Sequence, residues 1–265
     1  MELIDSHCHL DLPAFNDDRE AVIARSRAAG VAGFVVPGVQ ASGWEFLWAL
    51  SQRVAGLYPA FGLHPVFLAA HAPGDVEQLE QWIAQHRPVA IGEIGLDFHV
   101  DGLDAERQQA LFEAQLAVAR DAQLPVILHV LKAHDQVLST LKRLRVSGGI
   151  VHAFNGSLQQ AQQYIDLGFS FGFGGMLTFE RSSKLRALAS ALPLQSILLE
   201  TDAPDMTVVQ HRGERNSPEY LPFCLAALAD VRDTHPLEVA RITTQNVRER
   251  LGLDHWQPPR AVAGS

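Results

Sequence analysis

The sequence has few cysteines, few basic side chains and no long apolar run. Its 265 residues include only two cysteines, Cys8 and Cys224, which offer no disulfide framework and are typical of a reducing cytoplasm. Lys and Arg number 21 against 30 Asp and Glu, a formal net charge of −9. A protein that grips long nucleic acid across its surface is usually basic. Any nucleic-acid substrate must therefore be held locally, by a metal or a few cations.

No run of about 18 apolar residues is present, so the sequence predicts no membrane span. The first residues include Glu2 and Asp5 and show no basic segment followed by an apolar stretch, so we expect no secretory signal and a cytoplasmic protein. The chain is 47% hydrophobic, enough for one large core. We expect a single domain over residues 1–255, a short C-terminal tail over 256–265, and a monomer.

Short apolar runs alternate with segments of helical periodicity along the whole chain. Eight strands are predicted, at residues 3–4, 33–37, 57–62, 89–94, 126–129, 149–152, 169–173 and 197–202. Each is followed by a predicted helix, and eight such units are the count of an α/β protein of the (β/α)8 TIM barrel type. An open doubly wound sheet is the alternative. The absence of a Gly-rich loop after the first strand, and polar strand ends throughout the chain, favour the closed barrel.

The segment Asp5-Ser6-His7-Cys8-His9 directly follows the first predicted strand, as a continuation of its extended backbone. Side chains alternate across an extended backbone, so His7 and His9 point the same way and can share one metal ion. Neutral imidazole is a common ligand of zinc and other divalent ions. Cys8 points the other way, which predicts a small buried apolar residue rather than a ligand.

Other predicted strands also end in imidazole or carboxylate side chains, at the face where barrel active sites lie. These residues are His64, Glu93, His129, His152, Glu200 and Asp202. Singly, each has an ordinary explanation, such as a hydrogen-bonded rim histidine or, for Asp202, a helix cap. Together they indicate a metal site, because a buried carboxylate without a partner is energetically expensive.

Nitrogen and oxygen ligands without a thiolate favour two ions over one structural zinc. We expect the two oxygens of Glu93 to bridge the ions. The remaining ligands divide between them, with His7, His9 and Asp202 on one ion and His129 and His152 on the other. The expected cofactors are two divalent metal ions, with Mg²⁺, Mn²⁺ and Zn²⁺ all open.

Six motifs in order cover nearly the whole chain. They are Asp5-Ser6-His7-Cys8-His9, Gly62-Leu63-His64-Pro65, Gly92-Glu93-Ile94-Gly95-Leu96-Asp97, Leu124-Pro125-Val126-Ile127-Leu128-His129, His152-Ala153-Phe154-Asn155-Gly156 and Glu200-Thr201-Asp202-Ala203-Pro204. Together they resemble the TatD family of metal-dependent deoxyribonucleases, in the metallo-dependent hydrolase superfamily. The resemblance implies a TIM barrel, a two-metal site and hydrolysis of phosphodiester bonds in DNA.

The family's functional residues carry over onto matching positions. Its metal ligands fall on His7, His9, Glu93, His129, His152 and Asp202. Its Gly-x-His-Pro histidine falls on His64, which we expect to face the substrate phosphate. The segment Arg215-Asn216-Ser217-Pro218 resembles the family's Arg-Asn-x-Pro segment before the last helices.

Two positions depart from the family pattern. Leu131 stands where a basic residue is expected after His129, and Asn155 stands where the sixth-strand motif usually has Ser. Lys132 points to the other face if the strand continues, so it is not an obvious substitute for the missing cation. The departures bear on substrate identity more than on metal binding.

The expected mechanism is attack on phosphorus by a water that two metal ions activate. Asp202 would accept the proton of the water as general base, with Glu93 bridging the ions. Lys132 or Arg215, together with His64, would hold non-bridging oxygens. We further expect Asp5 to orient a ligand histidine, while Glu200 either supports the ligands or packs deeper in the barrel.

A recessed metal site in an acidic protein suits a strand end better than internal duplex, so we expect 3′ exonuclease-like action on single-stranded DNA. Sister families use the same ligand set on esters, lactones, amides and phosphotriesters. The fifth strand ends in His129 and not in a carboxylatable lysine, which weakens those alternatives. A small ester or phosphoester substrate, deacylation of aminoacyl-tRNA, and a non-enzymatic scaffold remain open.

Overall fold

The computed structural model describes residues 2–256. Its eight strands form one parallel sheet in sequence order. They are β1 (Leu3–Asp5), β2 (Val31–Pro37), β3 (Leu57–Phe61), β4 (Ala90–Asp97), β5 (Val126–Leu131), β6 (Gly149–Val151), β7 (Phe169–Phe173) and β8 (Ile197–Leu199). The barrel closes where the Ser6 N–H donates to the Leu199 carbonyl at 3.0 Å. The predicted (β/α)8 fold is confirmed.

Helices surround the sheet. They are α1 (Arg19–Ala28), α2 (Trp44–Arg53), α3 (Asp75–His86), α4 (Ala105–Asp121), α5 (His134–Leu144), α6 (Leu158–Asp166), α7 (Ser183–Ala191), α8 (Leu221–Arg232) and α9 (Pro236–Leu251). A large apolar layer lies between the sheet and these helices. No helix within residues 2–256 combines the length and the apolar character needed to cross a bilayer.

A second, smaller apolar cluster fills the inside of the barrel. It contains one side chain from each of seven strands, namely Ile4, Val35, Ala60, Ala90, Ile127, Ile150 and Leu198. Alternate residues of an extended chain point the same way. His129 follows Ile127 by two positions, and His152 follows Ile150 by two. These imidazoles therefore point into the barrel directly above the apolar cluster.

Some predicted boundaries differ from the structure. β8 ends at Leu199, and Asp202 has a φ of 58°, so the chain has left the extended conformation by that residue. β4 is longer than predicted and includes Asp97. Trp256, predicted in the tail, packs on Tyr58 and donates its indole N–H to the Arg87 carbonyl at 2.9 Å. The rest of the predicted tail lies outside the described residues.

Candidate metal centre

The two histidines after β1 are held by backbone contacts across the barrel seam. The Asp202 N–H donates to the His7 carbonyl at 2.8 Å, and the His9 N–H donates to the Ala203 carbonyl at 2.8 Å. Asp5 accepts the His7 N–H at 3.2 Å and the Thr201 N–H at 3.0 Å. The prediction that Asp5 orients a ligand imidazole is therefore corrected, because its carboxylate binds main-chain groups of the seam and the Thr201 hydroxyl, which donates to Oδ2 at 2.5 Å.

Glycines allow the close approach of the chain around Glu93, at Gly62 just after β3 and at Gly92 and Gly95 on β4. A Cβ on Gly62 would lie 2.7 Å from the Gly92 carbonyl carbon and 2.9 Å from the Glu93 oxygen of the main chain. Gly95 has a φ of 146°, and a side chain there would overlap the His129 carbonyl. The glycines of the two motifs thus allow β4 to pass close to β3 and β5.

The two carboxylate oxygens of Glu93 face different imidazoles. Oε2 lies 3.2 Å from His7 Nε2 and 3.5 Å from His9 Nε2. Oε1 lies 2.9 Å from His152 Nε2 and 3.2 Å from His129 Nδ1. Glu93 and His7 are almost fully buried. The two oxygens of Glu93 therefore face two separate groups of imidazoles.

Asp202 completes the group on the His7 side. Its Oδ1 atom lies 3.6 Å from both His7 Nε2 and His9 Nε2. His9 donates its Nδ1–H to the Pro37 carbonyl at 3.2 Å, which directs Nε2 at the carboxylates. The ligand atoms of His7, His9 and Asp202 all lie within 4.8 Å of one another.

His64 also contacts Glu93, with Nε2 3.1 Å from Oε1. Its Nδ1 accepts the Val66 N–H at 3.1 Å, so in the neutral ring the proton is on Nε2. Burial lowers the pKa of His64, which favours that neutral form. His64 is therefore arranged as an N–H donor in the neutral ring.

Asp97, which has no role in the predictions from sequence, accepts the Nε2–H of His129 at 2.8 Å. This contact leaves His129 Nδ1 directed at Glu93 and His152. Asp97 also accepts the His99 and Val100 N–H groups, and its pKa falls to about 2 because these bonds and His129 outweigh the effect of burial. The sequence does contain a pattern that could have indicated this role for Asp97. Glu93 and Asp97 are four residues apart on one strand and share a face.

The charges around each imidazole set its protonation. Burial disfavours the charged form of His152, but Glu93 outweighs it and raises its pKa to about 10. The pKa of His9 rises to about 9 because the bond to Asp202 and the charge of Glu93 outweigh burial. Burial lowers the pKa of His7 to about 4. The histidines keep the pKa values of both carboxylates low, although burial acts in the opposite direction.

The donor set suits divalent metal ions. Imidazole nitrogens crowd each other, with His7 Nε2 3.2 Å from His9 Nε2 and His129 Nδ1 3.2 Å from His152 Nε2. Such nitrogen pairs need a proton or a cation between them. Two further groups of three side chains have ligand atoms close enough together to hold one metal ion. They are His7, Glu93 and His152, and His64, Glu93 and His129. Nitrogen and oxygen donors without thiolate suit zinc, manganese or magnesium.

Glu200 lies beneath the candidate ligands. Its Oε1 accepts the Ala153 N–H at 2.6 Å and lies 3.9 Å from His152 Nδ1. Burial raises the pKa of this carboxyl to about 8. A side chain on Gly172 would overlap the carboxylate, so the glycine of β7 makes the space that Glu200 occupies. Of the two positions predicted for Glu200, the structure supports the one beside a ligand histidine.

Two predicted substrate contacts are not brought to the centre. Arg215 binds Asp18 through both terminal nitrogens, at 2.9 and 2.7 Å, and its guanidinium lies 4.5 Å from the Phe15 ring. Lys132 is exposed, and a φ of 55° turns the chain away after β5. Neither residue lines the cavity above the metal centre. The sequence could not foresee the Asp18 partner, which is 197 residues away.

Asn216, beside Arg215, holds the segment that carries Asp202. Its side-chain amide donates to the Thr201 carbonyl at 2.7 Å and to the Asp205 carbonyl at 2.6 Å. Its own N–H donates to the Pro204 carbonyl at 2.9 Å. The Arg-Asn-x-Pro segment therefore clamps the loops after β1 and β8, which both carry candidate ligands.

A cavity of about 750 Å³ opens above the candidate ligands. Much of its wall is apolar, with contributions from Leu12, Val66, Phe67, Val130, Leu131, Met176 and Met206. Arg181 and Lys184, at the start of α7, also line it. Leu131 thus faces the substrate space, as its place in the family motif suggests, and the cations come from a different loop.

Comparisons with known proteins identify the family of the chain. The sequence model described as TatD related DNase matches residues 4–252. The chain belongs to this family. It is 43% identical to the uncharacterized metal-dependent hydrolase YjjV of Escherichia coli K12, over 92% of this chain and 95% of that protein. It is 34% identical to the 3′-5′ ssDNA/RNA exonuclease TatD of Klebsiella pneumoniae, over 95% of this chain and 98% of that protein.

A solved structure shows the same architecture. The crystal structure of the TatD homologue YjjV from Escherichia coli K12 superposes with a TM-score of 0.90 at 42% identity, covering 93% of this chain and 96% of that one. The chain is therefore a metal-dependent hydrolase of the TatD family.

Proposed function

We propose that this hydrolase cleaves phosphodiester bonds in DNA, removing nucleotides from the 3′ end of a single strand with two divalent ions. The observation that carries the proposal is the position of Glu93, whose two carboxylate oxygens face separate groups of imidazoles. The proposed ligands are His7, His9, Glu93, His129, His152 and Asp202. The printed names of the TatD exonuclease relatives support the choice of substrate.

Divalent ions held by these residues would supply Lewis-acid polarisation of a phosphoryl oxygen and would lower the pKa of the attacking water. Asp202 is the proposed general base. The pKa of its carboxyl is lowered, because the neighbouring histidines outweigh burial, so it is ionised and able to accept the water's proton at neutral pH. The bond from phosphorus to the leaving oxygen breaks as the new bond to the water oxygen forms.

His64 is the proposed donor to the phosphate. Its Nε2–H points to Glu93 Oε1 at 3.1 Å, in the part of the cavity where a phosphoryl oxygen would approach. A preorganised N–H donor stabilises the charge that develops on such an oxygen. Glu93 holds the ligand imidazoles, and Asp97 fixes the ring of His129.

The proposal is tested with single-stranded oligonucleotides that carry a free end, a blocked 3′ end or a blocked 5′ end, beside a circular strand. Each is incubated with chelator-treated protein and added Mg²⁺, Mn²⁺ or Zn²⁺. We expect cleavage of the free and 5′-blocked strands only. Equal rates on circular DNA would refute the exonuclease, and activity without any metal would refute the two-metal site.

An ester hydrolase or deacylase is the second candidate. Val130 and Leu131 give the cavity an apolar wall that suits an acyl group. A panel of small esters and an aminoacyl-tRNA, assayed beside the oligonucleotides, separates the two functions. Faster turnover of an ester than of any oligonucleotide would favour this candidate.

We also propose that the enzyme acts in the cytoplasm as a monomer. Both cysteines, Cys8 and Cys224, are free and buried, which suits a reducing compartment. All six proposed ligands come from one chain, so a second copy is not needed to complete the site. Sedimentation at working concentration checks the monomer.

A further inference from the structure

We infer that Arg181, Lys184 and Phe67 bind the DNA strand on opposite sides of the metal centre. The two cations bind a phosphate beyond the scissile one, and the Phe67 ring stacks on a base. This inference rests on the proposed function and specifies its substrate. It requires a single strand that carries at least one phosphate in addition to the one that is cleaved.

The cations of the cavity come from the end of the β7–α7 connection, which carries Arg181, and from the first turn of α7, which carries Lys184. Of the lining residues within 2–256, Arg181 and Lys184 alone carry a Lys or Arg charge. The Arg181 guanidinium lies 5.4 Å from the Phe179 ring, and the first turn of α7 has no acidic residue. Arg186 in the same helix binds Asp230 at 2.7 Å, whereas the ion pairs within the described chain include neither Arg181 nor Lys184. Their charges are therefore available to a substrate.

Phe67 lies on the other side of the mouth. It belongs to a short 3₁₀ segment after β3, Pro65–Ala70, and is 39% exposed while lining the cavity. Its ring centroid is 5.6 Å from that of His64, the proposed phosphate donor. Isolated exposed apolar residues are common on protein surfaces. This one stands at the entrance of a substrate cavity, where an aromatic face can stack on a base.

The barrel topology places these two features across the centre from each other. The eight strands follow one another in order, so β7 lies four positions from β3 in either direction around the barrel. The loops that carry Phe67 and Arg181 therefore face each other, with the ligands of β1, β4, β5, β6 and β8 between them. A strand that crosses the mouth contacts the ring, the metal centre and the cations in turn.

The chemistry of the two sides favours nucleic acid over a small apolar ester. Base stacking accepts any base, and a Lys–Arg pair suits a phosphate diester. An ester without a second anionic group would leave both cations without a partner. The net charge of −9 means that local cations, rather than the whole surface, must attract the strand.

The cation half is tested with the double variant Arg181→Gln/Lys184→Gln. Its matched control is Arg120→Gln/Lys142→Gln, which removes two exposed charges from the last turns of α4 and α5, at the other face of the barrel. The assay compares kcat/KM for a single-stranded oligonucleotide with kcat/KM for bis(p-nitrophenyl) phosphate, which has no second phosphate. We expect the ratio to fall about tenfold or more in the test variant, as the loss of hydrogen bonds to charged groups implies.

A binding measurement accompanies the kinetics. Fluorescence anisotropy with metal-loaded protein and a phosphorothioate oligonucleotide gives the salt dependence of affinity. For the test variant, the slope of log affinity against log salt should become shallower by about 0.7 for each phosphate of the single strand that the variant no longer neutralises. A kinetic ratio and a salt slope that match those of the control variant would overturn the assignment of Arg181 and Lys184.

The aromatic half is tested with Phe67→Ala, and the control is Phe46→Ala, a phenylalanine of α2 that is 40% exposed. Oligonucleotides with a normal or an abasic nucleotide at the cleaved end are compared. We expect Phe67→Ala to weaken binding of the normal strand about tenfold, within the range of base stacking, and to affect the abasic strand much less. Equal losses on both strands would overturn the stacking role.

Failure of the proposed function gives a different result. In that case the parent protein cleaves neither the oligonucleotide nor bis(p-nitrophenyl) phosphate. If the parent cleaves both while the variants behave as their controls, the function stands and this inference fails.

Discussion

Glu93 Oε1 lies 2.9 Å from His152 Nε2, and both side chains are buried. In the metal-free protein this contact is a charge-assisted hydrogen bond, because the pKa of His152 is raised to about 10 and that of Glu93 is well below its usual value. Removing one member leaves the other buried without its partner, which costs more than the pair contributes. The pair therefore links the stability of the metal-free protein to the geometry of the metal site.

Glu93→Gln should abolish metal-dependent hydrolysis. The amide keeps the size of the side chain, but it replaces one of the two carboxylate oxygens with an NH2 group. Each of these oxygens faces a separate group of imidazoles. Loss of a residue that only hydrogen-bonds to a metal ligand costs up to about 100-fold in activity. Since Glu93 is a proposed ligand itself, we expect kcat/KM to fall by more than about 100-fold. Circular dichroism checks that the fold is intact, and metal content is measured after dialysis. Near-parent activity in the folded variant would rule out the bridging role.

Asp97→Asn should weaken binding at the His129 side of the centre. The carboxylate fixes the Nε2–H of His129 and directs Nδ1 to the metal position. Loss of such a partner typically costs about 10–100-fold in metal affinity. The control is Asp101→Asn, an exposed carboxylate of the loop that follows β4. Metal titration by calorimetry distinguishes them, and equal affinities in the two variants would show that Asp97 does not position His129.

The fold and the candidate ligands can be predicted from the sequence because both depend on local pattern. Apolar runs of strand length alternate with helical periods, and the polar residues at the strand ends must converge once a barrel forms. The substrate-binding roles of Arg215 and Lys132 stay predictions. The structure places both residues outside the cavity lining, because their positions depend on long-range contacts and backbone turns. Arg181 and Lys184 escape prediction because they lie at the start of a helix, where charged side chains are usually solvated.

Metal binding at pH 7 should release protons. In the metal-free protein, His9 and His152 have pKa values raised to about 9 and about 10, so both are protonated at pH 7. The pKa of His129 is also raised, because its bonds to Asp97 and Glu93 outweigh burial. A ligand imidazole must be neutral, so we expect release of at least about two protons per protein. Glu93 and Asp202 are already ionised and release none. Affinity should therefore rise as pH increases from about 6 to about 9.

Calorimetry in buffers of different ionisation enthalpy measures the number of protons. An observed binding enthalpy that is the same in every buffer at pH 7 would contradict the raised pKa values of the two histidines.

Gly172→Ala should destabilise the fold and disturb the floor of the site. A methyl group on Gly172 would overlap the Glu200 carboxylate, which is held by the Ala153 N–H. Overpacking of this kind costs about 1–3 kcal/mol, and each kcal/mol lowers Tm by about 2–4 °C in a chain of this size. The control is Gly43→Ala, where a Cβ meets nothing within 4 Å. Equal Tm values for the two variants would show that Glu200 is free to move.

Substitutions of Arg215 and Asn216 should have different effects, because Arg215 makes a surface contact and Asn216 makes buried hydrogen bonds. The pair of Arg215 with Asp18 is largely exposed and is worth about 1 kcal/mol or less, so Arg215→Gln should leave KM for single-stranded DNA within about twofold of parent. Asn216→Ala leaves the Thr201 and Asp205 carbonyls without their buried donor. Each unpaired carbonyl costs about 1–3 kcal/mol, so Tm should fall several degrees, and kcat should fall as Asp202 loses its support.

The KM and the salt dependence of Arg215→Gln show whether Arg215 binds the substrate. A rise in KM for Arg215→Gln, with a salt slope that becomes shallower as expected for Arg181→Gln/Lys184→Gln, would return Arg215 to the substrate. An unchanged KM and an unchanged slope mean that the guanidinium stays on Asp18 during catalysis. The Arg-Asn-x-Pro segment then acts by holding the loops after β1 and β8, through Arg215 on Asp18 and Asn216 on the Thr201 and Asp205 carbonyls.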